Sequence, residues 1–227
     1  MSAAGNAAPA PAAMILAAGR GERMRPLTDR TPKPLLVVRD ETLIERHVRA
    51  CATAGIRRIV INLWWLGAQI RERLGDGSRY GVEIAYSEEG AAALETAGGI
   101  VRALRLLGSD LFIVVNGDIY TDYPLAGLRL GVAADAHLVL VPNPPQHPEG
   151  DFGLRNGRVL AVAAQRFTFA GIALYRRAMF AACADGVRPL KPLLVAAMER
   201  DRCTGEIYQG LWEDVGTPAR LAALNRP

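Results

Sequence analysis

From Met14 onward, short continuous apolar runs alternate with stretches whose apolar residues recur at helical spacing, with Gly or Pro between most of them. This is the pattern of βαβ units, whose strands are covered on both faces and are therefore apolar throughout. Met14 to Ala17 predicts a first buried strand. Thr42 to Ala54 predicts a helix stopped by Gly55, and Arg57 to Asn62 a strand with the fully apolar interior Ile59-Val60-Ile61. Leu66 to Leu74 predicts a second helix and Val82 to Tyr86 the next strand. Thr96 to Leu107 predicts a helix opened by Thr96 as its cap, and Leu111 to Val115 the most hydrophobic central strand. The pattern then predicts a helix over 124–133, a strand from His137 to Val141 and a rigid Pro-rich loop from Pro142 to Pro148. From Asp151 to Tyr175 short strand-like runs around Asn156-Gly157 predict a hairpin or a small antiparallel extension. Helices are expected at Arg177 to Ala184 and Pro189 to Glu199, short strands within Gly205 to Val215, and a last helix from Pro218 to Leu224 behind Thr217. The expected class is α/β: a mostly parallel central sheet with helices on both faces and a small antiparallel extension.

Composition narrows this to one domain over 14–227, since 227 residues, half of them hydrophobic, suffice for one substantial core and are too few for two. Residues 1–13 are nearly all Ala, Pro, Gly, Ser and Asn, with no charged leader and no bulky apolar stretch. They are expected to be a flexible tail rather than a secretory signal. The formal net charge of +4 suits anionic ligands, but no block of like charge points to nucleic acid. Cys51, Cys183 and Cys203 are odd in number and widely spaced, which suggests free thiols in a reducing compartment and no zinc site. No apolar run reaches membrane-spanning length, so a soluble cytoplasmic protein is the default. His47, His137 and His147 show neither triad nor ligand spacing, and Trp64 and Trp65 are expected to pack or to form a subunit contact.

Candidate chemistry concentrates in Leu16-Ala17-Ala18-Gly19-Arg20-Gly21-Glu22-Arg23-Met24-Arg25-Pro26-Leu27-Thr28 and the Thr31-Pro32-Lys33-Pro34 that follows. Gly19 and Gly21 allow a tight turn whose amide N–H groups can face phosphate oxygens, and Arg23, Arg25 and Lys33 bring full positive charge. Pro26, Pro32 and Pro34 make the segment a stiff loop. It is not a Walker A loop, because no GKS or GKT follows, nor a dinucleotide fingerprint, because Met24 stands where the third glycine belongs. Asp118, in Asn116-Gly117-Asp118 at the carboxyl end of the central strand, is well placed for a metal; a plain turn aspartate is the alternative. Asp118 and Asp214 can share one Mg²⁺, which takes few protein oxygens and keeps waters and phosphates for the rest of its shell.

With these elements the chain resembles the nucleotidyltransferases that join a nucleoside triphosphate to a sugar 1-phosphate, a Rossmann-like fold. The LAAGxGxR and PKP elements stand at Leu16 to Arg23 and Pro32 to Pro34. Gly75 to Gly81, Leu94-Glu95-Thr96-Ala97-Gly98-Gly99-Ile100, Asn116-Gly117-Asp118 and Trp212-Glu213-Asp214-Val215-Gly216-Thr217 are similar to the short bacterial N-acetylmuramate 1-phosphate uridylyltransferases of cell-wall recycling. The resemblance implies Arg23 and Lys33 as catalytic cations with Asp118, and Asp118 and Asp214 as ligands of Mg²⁺. It implies nucleotide contacts from Leu16, Ala17, Ala18, Gly19, Gly21 and Arg23, from Glu88 or Glu89 at the base, and from Gly98, for which helix packing is the alternative. For the sugar it implies Asn116, Asp151 and Gly171, and Arg155 or Arg166 is suggested as a partner for the lactyl carboxylate. The implied substrates are UTP and the sugar 1-phosphate. A mannose or glucose 1-phosphate enzyme using GTP or dTTP, or a non-catalytic nucleotide-sugar-binding module, would share most of these motifs.

Overall fold

In the computed structural model, which describes residues 11–90 and 92–226, strands and helices alternate as far as residue 116. The order is β1 (Ala12–Leu16), β2 (Val37–Val38), β3 (Glu41–Thr42), α1 (Leu43–Thr53), β4 (Arg58–Leu63), α2 (Gly67–Leu74), β5 (Glu83–Glu88), α3 (Glu95–Leu107) and β6 (Leu111–Asn116). There follow β7 (Ile119–Thr121), β8 (Ala136–Val141), β9 (Gly153–Arg155), β10 (Arg158–Leu160), β11 (Thr168–Arg176), α4 (Lys191–Glu199), β12 (Cys203–Ile207), β13 (Trp212–Asp214) and α5 (Pro218–Leu224). Nine strands form one sheet in the order β5-β4-β1-β6-β11-β8-β12-β10-β9. Only β10 and β11 run against the rest, so the sheet is mostly parallel as expected. The pairs β7–β13 and β2–β3 stand apart as two small antiparallel ribbons.

The strict alternation of β1 divides the core. Ala13 and Ile15 pack with Ile44 and Val48 of α1 and Ile70 and Leu74 of α2, whereas Ala12 and Met14 pack with Ile100 and Leu107 of α3 and Leu194 and Met198 of α4. Helices thus cover both faces, and β1 is apolar because both of its faces are buried. The strand begins at Ala12, so Ala12 and Ala13 belong to the sheet rather than to the tail; residues 1–10 lie outside the described residues.

Several elements differ from the pattern-based reading. No helix spans 124–133: Pro124, Gly127 and Gly131 interrupt it, leaving one 3₁₀ turn over Leu125–Gly127. Arg177 to Ala184 is likewise reduced to a 3₁₀ turn over Arg177–Phe180, which serves to set Phe180 against Phe112 and Tyr175 at ring separations of 5.9 and 5.6 Å. The expected hairpin forms as β9–β10, with Asn156 at φ 53° and Gly157 at φ 74°. The rest of that region, however, is the nine-residue β11 inserted between β6 and β8 in the main sheet. Thr96 does not cap α3, which starts one residue earlier. Its first turn is satisfied from afar, with the Arg188 carbonyl accepting from Ala97 and Gly98. Thr42 and Thr217 do cap α1 and α5, each hydroxyl accepting the N–H three residues on.

Candidate active site

The carboxyl ends of β5, β4, β1 and β6 lie side by side, which is where an open α/β sheet binds ligands. A cleft of about 240 Å³ opens there, floored by Leu16 to Gly19 and walled by Asn62, Glu89, Glu95 and Asn116. The floor is held by a buried relay. The Ala17 N–H donates to Asn62 Oδ1 at 2.8 Å, Asn62 Nδ2 donates to Glu89 Oε1 at 2.6 Å, and Glu89 Oε2 accepts the Leu94 N–H at 2.7 Å. One carboxylate thereby ties the ends of β1, β4 and β5 to the start of α3, which explains why Asn62 and Glu89 are polar yet buried.

Beyond Gly19 the loop doubles back. Gly21 sits at φ 68°, and a Cβ there would lie 3.0 Å from Thr28 Cγ2 and 3.2 Å from Lys33 Cβ. Met24 is the loop's anchor, buried with Leu36, Val38, Leu43, Tyr120 and Val215. Trp65 braces the outside, donating its Nε1–H to the Thr28 carbonyl at 2.9 Å under the Arg20 guanidinium, so it packs as expected. The two flanking arginines are neutralised: Arg20 pairs with Glu22 and Arg25 with Asp29. Arg23 makes no ion pair among the described residues, and it faces a second cavity of about 400 Å³ together with Asn116, Asp118 and Asp214.

Lys33 is buried and its Nζ meets Asp118 Oδ2 at 2.5 Å. Gly117 lets the chain turn out of β6 at that point, its N–H donating to the Leu16 carbonyl, where a Cβ would come within 2.5 Å of the same oxygen. Asp214 reaches the site through the β7–β13 ribbon, whose register sets Asp214 opposite Ile119, the residue after Asp118. The Val215 N–H donates to the Asp118 carbonyl, and Trp212 Nε1–H pins β13 to the Ala170 carbonyl of β11. Arg220 holds Asp214 Oδ2 at 3.0 Å, with Gly216 leaving room for the guanidinium. Burial raises the neighbouring Glu213 carboxyl above its usual range, with Arg220 opposing and Asp214 adding to the rise. His47 lies beneath this ribbon; burial pushes its pKa down to about 4, against weaker pulls from Ile119 and Asp118, so its ring is neutral.

The second cavity continues past Asn116 and Asp151 into a third, walled by Phe152, Phe169, Leu190 and Lys191. Asp151 accepts the Phe169 N–H at 2.8 Å and lies 3.3 Å from His147 Nε2. The β11–β8 register shifts between Phe169 and Ala173, where Gly171 takes φ 74° and a Cβ would fall 2.5 Å from Asn116 Nδ2. That bulge bends β11 around the Asn116 side chain.

The sequence profile of the nucleotidyl transferase family matches residues 12–226, nearly the whole described chain. The chain belongs to the nucleotidyl transferase family. Among curated relatives, an N-acetylmuramate alpha-1-phosphate uridylyltransferase of Neisseria meningitidis is 51% identical over 92% of this chain and 94% of its own length. A protein of the same name from Caulobacter vibrioides is 32% identical over 94% and 96%. Among solved structures, Yersinia pseudotuberculosis HddC complexed with GMP-PN superposes at a TM-score of 0.76 with 16% identity, over 95% of this chain and 98% of its own. A Bacillus anthracis protein assigned as a glucose-1-phosphate thymidylyltransferase reaches 0.82 at 22% identity, over 95% and 94%, which shows a shared fold.

Within this nucleotidyl transferase, Leu16, Ala17, Ala18, Gly19, Arg23, Lys33, Asn116, Asp118, Asp151 and Asp214 all line the joined cavities. Six residues expected or suggested at the site do not. Glu88 points outward and pairs with Arg71 at 2.5 Å, because the carboxylate that turns inward at the end of β5 is Glu89. Gly98 is absent from the cleft wall, since a Cβ there would strike the Gly186 carbonyl at 2.2 Å; it is a packing glycine. Gly21 and Gly171 lie behind the walls, letting Lys33 and Asn116 take their places. Arg166 is turned to the Gly150 carbonyl and Arg155 lies on the β9–β10 hairpin, and neither lines a cavity. Sequence reasoning passed over Asn62, whose signal was a polar residue set among the apolar residues Ile59 to Leu63 of β4. It also gave no role to Glu95, which lines both outer cavities at φ 58°, a conformation rare for a side-chain-bearing residue.

Proposed function

We propose that this chain, acting as a single domain, transfers UMP from UTP to N-acetylmuramic acid 1-phosphate, forming UDP-N-acetylmuramic acid and pyrophosphate. The observation that carries the reading is the continuity of three cavities through Asn116, with Asp118 shared by the first two: a floor of backbone groups for the nucleotide, a cationic midpoint for phosphates and a polar–apolar hollow for the hexose. The names of the two relatives that span nearly the whole chain supply the sugar and the base.

The sugar phosphate is already ionised near neutral pH, so its oxygen attacks the α-phosphorus in line while the bond to the β-phosphate oxygen breaks and pyrophosphate leaves. No general base and no covalent enzyme intermediate are needed; catalysis is positioning and charge neutralisation. Lys33, clamped by Asp118 and buried, holds one ammonium where the α-phosphate and the incoming phosphate meet. Arg23, on the facing rim and without an ion pair among the described residues, takes the charge that develops on the departing pyrophosphate. Asp118 and Asp214 offer hard carboxylate oxygens to one cavity; Asp151 and His147 line it too, but among the described residues no three acidic, His or Cys side chains come together as one metal-holding group. That donor set fits Mg²⁺, whose remaining ligands would come from phosphates and water. Bound there, Mg²⁺ supplies charge neutralisation on the triphosphate. Because Glu89 is committed to Asn62 and Leu94, the uracil edge is left to backbone groups of Leu16 to Gly19.

Among the described residues no helix is long and apolar enough to cross a membrane, in keeping with an enzyme of small diffusible substrates. The test is pyrophosphate release with Mg²⁺ across UTP, GTP, dTTP and CTP against the 1-phosphates of N-acetylmuramic acid, N-acetylglucosamine, glucose and mannose. Selective turnover of UTP with the muramic sugar is expected. Preference for another pair would keep the mechanism and replace the substrate, and silence throughout would favour a binding module.

A further inference from the structure

The sugar proposed above differs from N-acetylglucosamine by a lactyl ether, a short arm with one methyl and one carboxylate. A site that selects it needs an apolar wall and an uncompensated cation together, beyond the groups that hold the phosphates. The third cavity, the hexose hollow of about 430 Å³ that joins the phosphate cavity at Asn116 and Asp151, has both. Its wall is Phe152, Leu190 and Leu194, all at or below 9% exposure. Its cation is Lys191, the first residue of α4, whose Nζ stands 6.0 Å from the centre of the Phe152 ring.

We propose that Lys191 is the specificity residue of this enzyme, pairing with the lactyl carboxylate while the lactyl methyl rests on Phe152 and Leu194. An exposed lysine alone is commonplace; its place carries the inference. Among the described residues Lys191 makes no ion pair, although two carboxylates share its cavity. Asp151 is already engaged by the Phe169 N–H and His147, and Glu95 stands at the opposite join with the nucleotide cleft, which both cavities share through Thr96. The other cations are committed elsewhere: Lys33 to Asp118, Arg23 to the phosphate cavity, Arg166 to the Gly150 carbonyl and Arg188 to the Ala184 carbonyl. The two arginines the sequence suggested for this task are thereby replaced by a lysine some 25 to 36 positions further along the chain.

The inference rests on the muramic reading, so the experiment separates the two. Steady-state kcat/KM with UTP and Mg²⁺ is measured for the wild type, Lys191→Met and Lys191→Arg, on the 1-phosphates of N-acetylmuramic acid, its lactyl methyl ester and N-acetylglucosamine. Lys191→Met is expected to lower kcat/KM for the free acid by about tenfold or more, chiefly through KM, the size of effect a lost charge-assisted bond produces. The ratio of acid to methyl ester, and of acid to N-acetylglucosamine substrate, falls by the same factor, and Lys191→Arg restores most of it. A wild type selective for the muramic sugar whose ratios are unchanged in Lys191→Met overturns the proposal and leaves the function standing. Equal loss on all three sugars also overturns it, because it places Lys191 on the shared phosphate. A wild type indifferent to the lactyl arm overturns both readings together.

Discussion

Replacing Asn62 by Ala tests whether the nucleotide floor is held by the Ala17–Asn62–Glu89 relay. The substitution leaves the Ala17 N–H without an acceptor at a residue 1% exposed, and strips one donor from a carboxylate at a residue 3% exposed. An orphaned buried N–H costs about 1–3 kcal/mol and a lost bond to a charged acceptor about 1.5–3 kcal/mol. The relay borders an open cleft, so water entering from that side recovers part of the loss, and a net destabilisation of about 2–4 kcal/mol is expected. For a chain of this size that corresponds to a fall in Tm of about 5–15 °C.

The decisive readout joins stability to affinity. Thermal unfolding by circular dichroism gives the first, and calorimetric titration with UTP gives the second, expected to weaken about tenfold as the Leu16 to Gly19 backbone relaxes. Glu88→Ala is the matched control, one residue from Glu89 but exposed and paired only with Arg71, and it should shift stability by less than about 0.5 kcal/mol. An Asn62→Ala protein that melts within about 1 °C of the wild type and binds UTP as tightly would refute the reasoning, since a loss of only about 1 kcal/mol already lowers the Tm of a chain this long by about 2–4 °C.

Three further outcomes are expected. Asp118→Asn keeps the fold but leaves the buried Lys33 without its counter-charge and halves the carboxylate set offered to Mg²⁺, so kcat for pyrophosphate release should fall about a hundredfold or more, with some loss of Tm that does not account for it. Gly171→Ala forces a side chain to within 2.5 Å of Asn116 Nδ2 at a left-handed φ, so KM for the sugar phosphate should rise before KM for UTP does, and equal rises would count against a sugar-side role for Asn116. Glu45 tests acid stability: burial alone would raise its pKa, but bonds from Arg73, Tyr80 and Thr42 overcome this and take it from 4.5 down to about 2. A depressed carboxylate stabilises the fold above its unfolded pKa and loses that contribution as pH falls towards 2, so Glu45→Gln should flatten the stability profile of the protein between about pH 5 and 2.

The main-sheet strands and helices were legible as far as β6 because β1, β4 and β6 are buried on both faces and the helices on one, so period and burial point the same way. Legibility ends where punctuation overrides periodicity. The segment 124–133 has apolar residues at helical spacing, yet Pro124, Gly127 and Gly131 stop it after one turn, and β11 could not be told from a small extension because its strand partners are distant in sequence. The same division holds at the site. Residues proposed from their own chemistry and local spacing, Arg23, Lys33 and Asp118, line the joined cavities. Residues whose place depends on which side of a chain reversal they fall stayed open in the sequence: of Glu88 and Glu89 the first faces outward and the second is held by Asn62, and Gly98 takes the packing alternative.

Two glycines, Gly117 and Gly171, show how the fold serves the chemistry. Gly117 brings the turn after β6 onto the Leu16 carbonyl, and Gly171 opens a bulge in β11 just large enough for Asn116. Neither need touch a ligand, yet between them they set Asn116, which lines all three cavities, and Asp118, which lines the first two. A phosphoryl transfer that depends on alignment more than on covalent chemistry is sensitive to such placement, since a displacement of about 1 Å can lower the rate about a hundredfold. On the proposed mechanism the turn after β6 and the bulge within β11 therefore matter to turnover as much as the cations that face them.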